Sequence, residues 1–265
     1  MQDTNLQDIL DELESSDSNN TRFGENWSQG RSAFGGLSAA FAVTAMRKQL
    51  QQPQKIRSLM VSFIAPIAPG EVTVNAQTLR QGKNVTQCSA SVSSQGQLGL
   101  QAMAAFGNSR TTYNPPPQPL KTLPERSEGL AFSERANRLP HFLQYFDGYW
   151  MEGGMPFSGE YKPFLRMWVR HKQDVSRFPI EQLVAIADIP PPVLLSYFDK
   201  PPVPASSLTW SLEFIEEPES ATGEWFYLEF EVDAAADGYT QQSGRIYDES
   251  GRLMALTRQC MVYFG

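Results

Sequence analysis

Apolar positions fall at helical spacing in the first residues of the chain: Leu6, Ile9, Leu10 and Leu13, followed by a polar run over residues 14–21. This pattern predicts either a short docking helix or a frayed tail. After Gly30, the stretch RSAFGGLSAAFAVTAMRKQL sets Leu37, Ala40, Phe41 and Ala45 among small residues. A helix built from it is apolar around most of its circumference and has to be buried. Four extended stretches come next: residues 56–66 (IRSLMVSFIAP), 71–79 (EVTVNAQTL), 84–93 (NVTQCSASVS) and 97–106 (QLGLQAMAAF). Pro-Gly, Gly-Lys and Gln-Gly punctuate them, which predicts one helix followed by a meander of antiparallel strands.

Residues 111–140 are rich in proline and charge and include Pro115, Pro116 and Pro117, a composition suited to a crossing linker. The second half then repeats the order of the first, with strands expected near 142–151 and 163–169, a helix over 180–188, and further strands. Short strings correspond: Ser62-Phe63-Ile64 with residues 212–215 (LEFI), and Gln95-Gly96-Gln97-Leu98 with Ser250-Gly251-Arg252-Leu253. Two diverged copies of one helix-plus-meander unit account for this economically. The expected organisation is an N-terminal helix and polar tail (1–25), a first unit (26–110), a Pro-rich linker (111–140) and a second unit (141–265). A helix apolar all round needs a curved sheet to cover it, and fusing two copies lets their exposed strand edges pair. The fold class is therefore read as α+β, two fused hotdog units, each an antiparallel sheet wrapped around a long helix.

Composition narrows the function. The chain has 265 residues and a net charge of −7, without the basic balance of a nucleic-acid binder. No apolar run reaches the roughly eighteen residues of a membrane span, and the acidic N-terminus is unlike a signal peptide, so a soluble cytoplasmic protein is expected. Cys88 and Cys260 are far apart, and His141 and His171 are the only histidines. That inventory argues against a zinc site or a Cys-His nucleophile, so no metal and no cofactor are expected, and both cysteines read as reduced, buried thiols.

Several strings in the right order resemble the acyl-CoA thioesterase II family, whose members carry two fused hotdog units. In the first unit these are Phe34-Gly35-Gly36 at the helix start, residues 58–69, and Thr78-Leu79-Arg80-Gln81-Gly82-Lys83; in the second they are the helix with Asp188, residues 207–214, and the stretch from Asp248 to Gln259. The resemblance covers about 30–105 and 142–262. It implies a catalytic set of Asp188, Ser207 and Gln259, with acyl-CoA as substrate. This chain has Ser207 where members typically carry threonine, and Thr209 where an aspartate is often found. Phe214-Ile215-Glu216-Glu217 replaces a Phe-His-Arg-Pro-like ending.

These residue types suit thioester hydrolysis. A carboxylate can polarise water as a general base, while a hydroxyl and a carboxamide hold it in place. The start of the buried helix, Gly35, Gly36 and Leu37, would offer backbone N–H groups to the oxyanion. Arg57, Arg80 and Lys83 are candidates for the CoA phosphates, and Phe34, Phe41, Met46 and residues 145–150 for an acyl tunnel. A dehydratase ranks low because neither histidine stands at a helix start. A non-catalytic acyl-CoA or lipid binder and an interaction module that uses the acidic tail remain as alternatives. A homo-oligomer, dimer or higher, is the default assembly.

Overall fold

The structure, a computed structural model, describes residues 4–264. Its helices are α1 (Leu6–Ser15), α2 (Gly35–Arg47) and α3 (Pro179–Ala187). The strands of the first half are β1 (Asn20–Phe23), β2 (Ser28–Gln29), β3 (Ser32–Ala33), β4 (Lys55–Phe63), β5 (Gly70–Gln81), β6 (Val85–Ser94) and β7 (Gln97–Gly107). Those of the second are β8 (Leu130–Ala131), β9 (Phe146–Gly153), β10 (Phe164–His171), β11 (Ala205–Phe214), β12 (Phe226–Ala236), β13 (Tyr239–Tyr247) and β14 (Leu253–Tyr263).

Apart from the small β2–β3 ladder, the strands form one sheet in the order β1-β5-β6-β7-β4-β11-β14-β13-β12-β10-β9-β8. β4 and β11 pair antiparallel across the middle, with Leu59 opposite Leu212 and Met60 opposite Ser211. Moving outwards from that seam, each unit places its strands in the same order, β4-β7-β6-β5 on one side and β11-β14-β13-β12 on the other. This is the duplication expected of two fused hotdog units, and it removes the two edges that would otherwise meet solvent. Of the matched strings, the first pair closes β4 and β11 and the second pair forms matched turns. Gln95-Gly96 joins β6 to β7 with both residues at positive φ, and Gly251 at φ 83° stands in the turn from β13 to β14.

α2 is buried from Gly36 to Met46, as its lack of a polar face requires. α3 is a shorter helix, only nine residues, and runs antiparallel to α2, so the start of each lies against the end of the other. At one end Glu181, fully buried, accepts from the Thr44 hydroxyl (3.1 Å) and pairs with Arg47 (2.9 Å). α1 is a docked helix and not a frayed tail. Its four apolar side chains are buried, Asn5 caps its start, and Lys48 Nζ donates to the Leu13 and Ser16 carbonyls at its end. Part of the polar run after α1 is β1, an edge strand on β5 in which Thr21 is buried and donates to the Ile9 carbonyl.

One element starts elsewhere than predicted, and one segment packs otherwise than predicted. β9 begins at Phe146, because His141–Tyr145 forms a 3-10 turn. There Phe142 stacks on Phe34 and Tyr145 on Trp27, each at 4.0 Å, tying the entry of the second unit to that of the first. Much of the segment read as linker lies on the second unit's sheet. The Trp168 indole donates to the Pro124 carbonyl, Arg126 stacks over Trp168 and Trp225, and β8 pairs with β9. Gly251 is required by this crossing, since a Cβ there would stand 2.0 Å from the Lys121 carbonyl oxygen.

Candidate active site

α3 is apolar from Leu183 to Ala187 and ends where Ile189-Pro190-Pro191-Pro192 cannot continue a helix. Asp188 is therefore its C-cap, held in place by a buried helix on one side and a rigid turn on the other. The antiparallel packing delivers its carboxylate to the start of α2. Ser38 is the first residue of α2 whose N–H reaches an acceptor within the helix, the Phe34 carbonyl (3.2 Å), so the N–H groups of Gly35, Gly36 and Leu37 lie outside that ladder. The Gly36 backbone N–H acts on the Asp188 carboxylate as well, lowering its pKa. Both glycines serve close approach. A Cβ on Gly35 would sit 2.6 Å from Asp188 Oδ2 and 3.0 Å from the Phe63 ring, and one on Gly36 would sit 2.8 Å from the Ala185 carbonyl oxygen.

Gln259 reaches the same point from β14. It lies on the inward face with Thr257 and Met261, is 3% exposed, and donates from Nε2 to Asp188 Oδ1 at 2.6 Å. Its carbonyl oxygen accepts from Gln242 Nε2 (3.1 Å), and Gln242 Oε1 accepts from the Val193 backbone N–H (3.0 Å). Asp188 is half-buried, and desolvation of its carboxylate by the surrounding protein pushes the pKa up from 3.8 to about 7, against the pull of the hydrogen bonds from Gln259 and Gly36. No charged side chain contributes to that shift.

The structure thus brings Asp188, Gln259 and the start of α2 together. Ser207 shares the face of Gln259, opposite Met261 and beside a bulge in β11, but its hydroxyl makes no described hydrogen bond to either residue. Of the three residues expected to meet an oxyanion, Gly35, Gly36 and Leu37, the two glycines lie against Asp188 and the end of α3. Gln242 was missed. It lies in the polar run Thr240-Gln241-Gln242-Ser243, where alternation alone hints that Thr240 and Gln242 face inward; both are 1% exposed.

Other candidates lie elsewhere. Arg80 and Lys83 line a cavity of about 360 Å³ with Arg110, near Arg57, at the end of β4 away from Phe63. Six residues of strand, about 20 Å, separate Arg57 from Phe63. Phe34, Phe41 and Met46 are fully buried core, and so is Phe146. A second cavity of about 550 Å³ is lined by His141, Arg170, Lys172 and Trp225 among others; neither cavity includes Asp188 or Gln259. His171 is a core residue: burial lowers its pKa to about 4, so it is neutral at pH 7, and its Nε2 meets the Gln182 carbonyl at 3.3 Å. His141 is exposed. Cys88 is buried as expected, whereas Cys260, on the outward face of β14, is only half-buried. Among the described residues there is no group of three or more His, Cys, Asp or Glu able to hold a metal, and no helix is long and apolar enough to cross a membrane.

A family model for the acyl-CoA thioesterase C-terminal domain matches residues 117–263, and one for the acyl-CoA thioesterase N-terminal domain matches residues 23–107. The chain belongs to the acyl-CoA thioesterase family. The first match starts inside the proline-rich segment, in keeping with the packing of that segment on the second unit. Solved structures share the fold over nearly the whole chain. A hot dog fold protein from Alicyclobacillus acidocaldarius superposes with a TM-score of 0.83 at 19% identity, covering 97% of this chain and 98% of that one. An acyl-CoA thioesterase II from Mycobacterium marinum gives 0.72 at 16% identity, covering 98% of each. The tesB protein of Mycobacterium avium subspecies paratuberculosis gives 0.74 at 16%, covering 98% of this chain and 100% of that one. No curated protein matches the chain.

Proposed function

We propose that this chain hydrolyses acyl-CoA thioesters, with Asp188 as the general base, Gln259 and Ser207 positioning the attacking water, and the first turn of α2 receiving the oxyanion. The observation that carries this reading is the carboxylate of Asp188, with a pKa near 7, hydrogen-bonded to Gln259 at 2.6 Å beside the start of a buried helix. A base with a pKa near the working pH is part ionised yet basic enough to take a proton from water. The water oxygen bonds to the thioester carbon as its proton passes to Asp188, and charge builds on the former carbonyl oxygen. The N–H groups of Gly35, Gly36 and Leu37 at the start of α2 stabilise it. The C–S bond then breaks, and the CoA thiolate takes up the proton. A cytoplasmic setting and a dimer or higher homo-oligomer belong to the same proposal.

The unbonded Ser207 hydroxyl favours a second reading, an acyl-CoA or lipid binder whose chemistry has lapsed. A panel of acyl-CoA thioesters from acetyl to palmitoyl, with an aryl thioester, separates the two by free-thiol release. Turnover of any member by wild type and its loss in Asp188→Asn supports the enzyme. Binding without turnover across the panel supports the binder.

A further inference from the structure

We propose that Gln242 is a positioning residue that fixes which end of the Gln259 carboxamide faces Asp188. This inference rests on the reading of Asp188 and Gln259 as the reacting pair. The orientation of a buried amide is set by its partners, because its oxygen only accepts and its nitrogen only donates. The chain of bonds here starts from a group with no choice. The backbone N–H of Val193 can only donate, so Gln242 must turn its oxygen toward it (3.0 Å). The Gln242 amino group then points at Gln259, which has to present its own oxygen (3.1 Å). That leaves the Gln259 amino group toward Asp188 at 2.6 Å. Gln242 and Gln259 are both within 3% of complete burial, so no solvent is at hand to satisfy a flipped amide.

Without Gln242, only the Asp188 carboxyl is left to orient Gln259, and once protonated that carboxyl can itself donate to the oxygen of a flipped amide. The flipped form would put a carbonyl oxygen against the Asp188 carboxylate and remove the donor that a water or a thioester oxygen would meet. Val193 also follows Pro190-Pro191-Pro192, the turn that sets Asp188 as the C-cap, so one side chain ties the base's turn to the strand carrying its partner. Charged groups on the surrounding elements are exposed or paired away from this chain of bonds. Arg47 of α2 and Glu181 of α3 pair with each other at the far helix ends. Arg258 of β14 and Glu213 of β11 are exposed, the former beside Asp233, and Lys55 at the far end of β4 pairs with Glu217.

The test uses the full chain and two variants. Gln242→Met keeps the length and removes both hydrogen bonds. Gln242→Glu keeps the shape, and when ionised can accept from Val193 but cannot donate to Gln259. The carboxyl titration of Asp188, followed by carbon-13 NMR and identified by its loss in Asp188→Asn, needs no turnover. We expect the Asp188 midpoint to rise by about one pH unit in Gln242→Met, the effect of losing one hydrogen bond to a charged group. In Gln242→Glu the rise should be larger at neutral pH. The acid limb of kcat/KM should move by the same amount, with KM little changed. An Asp188 midpoint unaltered in both variants overturns the proposal. Should Gln242→Met fail to fold, Gln242→Glu decides alone, since its protonated form reproduces both native bonds at low pH. If wild type turns over no thioester, the hydrolase reading falls while the NMR titration still judges Gln242.

Discussion

Replacing Asp188 by asparagine should change the stability of the protein by an amount that depends on pH, and reverse its sign. The native carboxyl titrates near 7 and the unfolded one near 3.8. Between those values the folded chain holds a proton that the unfolded chain releases, so raising the pH disfavours the fold. The contribution is present below the unfolded pKa, is lost progressively as pH rises to about 7, and is constant above it. The full shift corresponds to roughly 4 kcal/mol, and the part between pH 5 and pH 7 to about 3 kcal/mol. Asparagine cannot ionise, so the variant lacks this loss, and every other titrating group cancels in the difference between the two proteins. At pH 5 the variant should be the less stable by about 1–2 kcal/mol, because its amino group replaces an acceptor and opposes either Gln259 Nε2 or the Gly36 N–H. At pH 8 it should be the more stable by a similar margin. Urea unfolding of both proteins at pH 5, 6, 7 and 8 measures this directly. A stability difference that stays constant within about 0.5 kcal/mol across that range would refute the claim that the Asp188 carboxylate is strained by burial.

Four further outcomes follow from the packing. Gly35→Ala, whose Cβ would meet Asp188 Oδ2 at 2.6 Å and Phe63 at 3.0 Å, should lower kcat by about 100-fold while costing only about 1–3 kcal/mol in a thermal melt; unchanged kcat would show that the carboxylate need not sit there. Arg47→Leu strands the fully buried Glu181 and should cost about 3–5 kcal/mol by denaturant unfolding, more than Glu181→Leu, which leaves a partly exposed arginine able to reach water. His171, neutral and buried with a pKa near 4, contributes stability that is complete above pH 6.5 and is lost as pH falls toward 4, about 3 kcal/mol in all; His171→Gln should flatten that limb of an acid unfolding curve. Ser207→Ala should reduce turnover by about 10-fold or more with little change in melting temperature, and Ser207→Thr should keep it; equal rates in all three would remove Ser207 from the chemistry.

The apolar pattern made α2 and the four strands after it legible because both are governed by burial, which writes itself into residue type. The duplication was legible for the same reason, together with two Gly turns at matched positions. Elements fixed by tertiary contact were harder. β1 lies in a polar run because it is an edge strand, hydrogen-bonded to β5 along one side only, and the 3-10 turn before β9 follows from the stacking of Phe142 and Tyr145 on Phe34 and Trp27, rings more than a hundred residues away in sequence. The charged, proline-rich segment reads as linker, yet Arg126 and Pro124 find partners on Trp168 and Trp225, which local composition cannot reveal. At the site, Asp188, Gln259 and the paired glycines came from resemblance, and their geometry is explained by the antiparallel helix pair. The close fit of Asp188 and the end of α3 against both glycines was not foreseeable, since it depends on how the two helices pack. Gln242 carries no signature of its own, because a buried glutamine in a polar strand looks like a solvated one until its three-bond chain is seen.

The central claim is that Asp188 activates water for thioester hydrolysis. Its most direct test is kcat/KM from pH 5 to 9 for the acyl-CoA that wild type turns over best, with Asp188→Asn alongside. The account predicts a rate that climbs through an apparent pKa near 7 and then levels, and a variant slower by about 10²–10⁴ with that limb gone. A wild-type profile flat through pH 7, or a variant that retains the same limb, would place the base elsewhere.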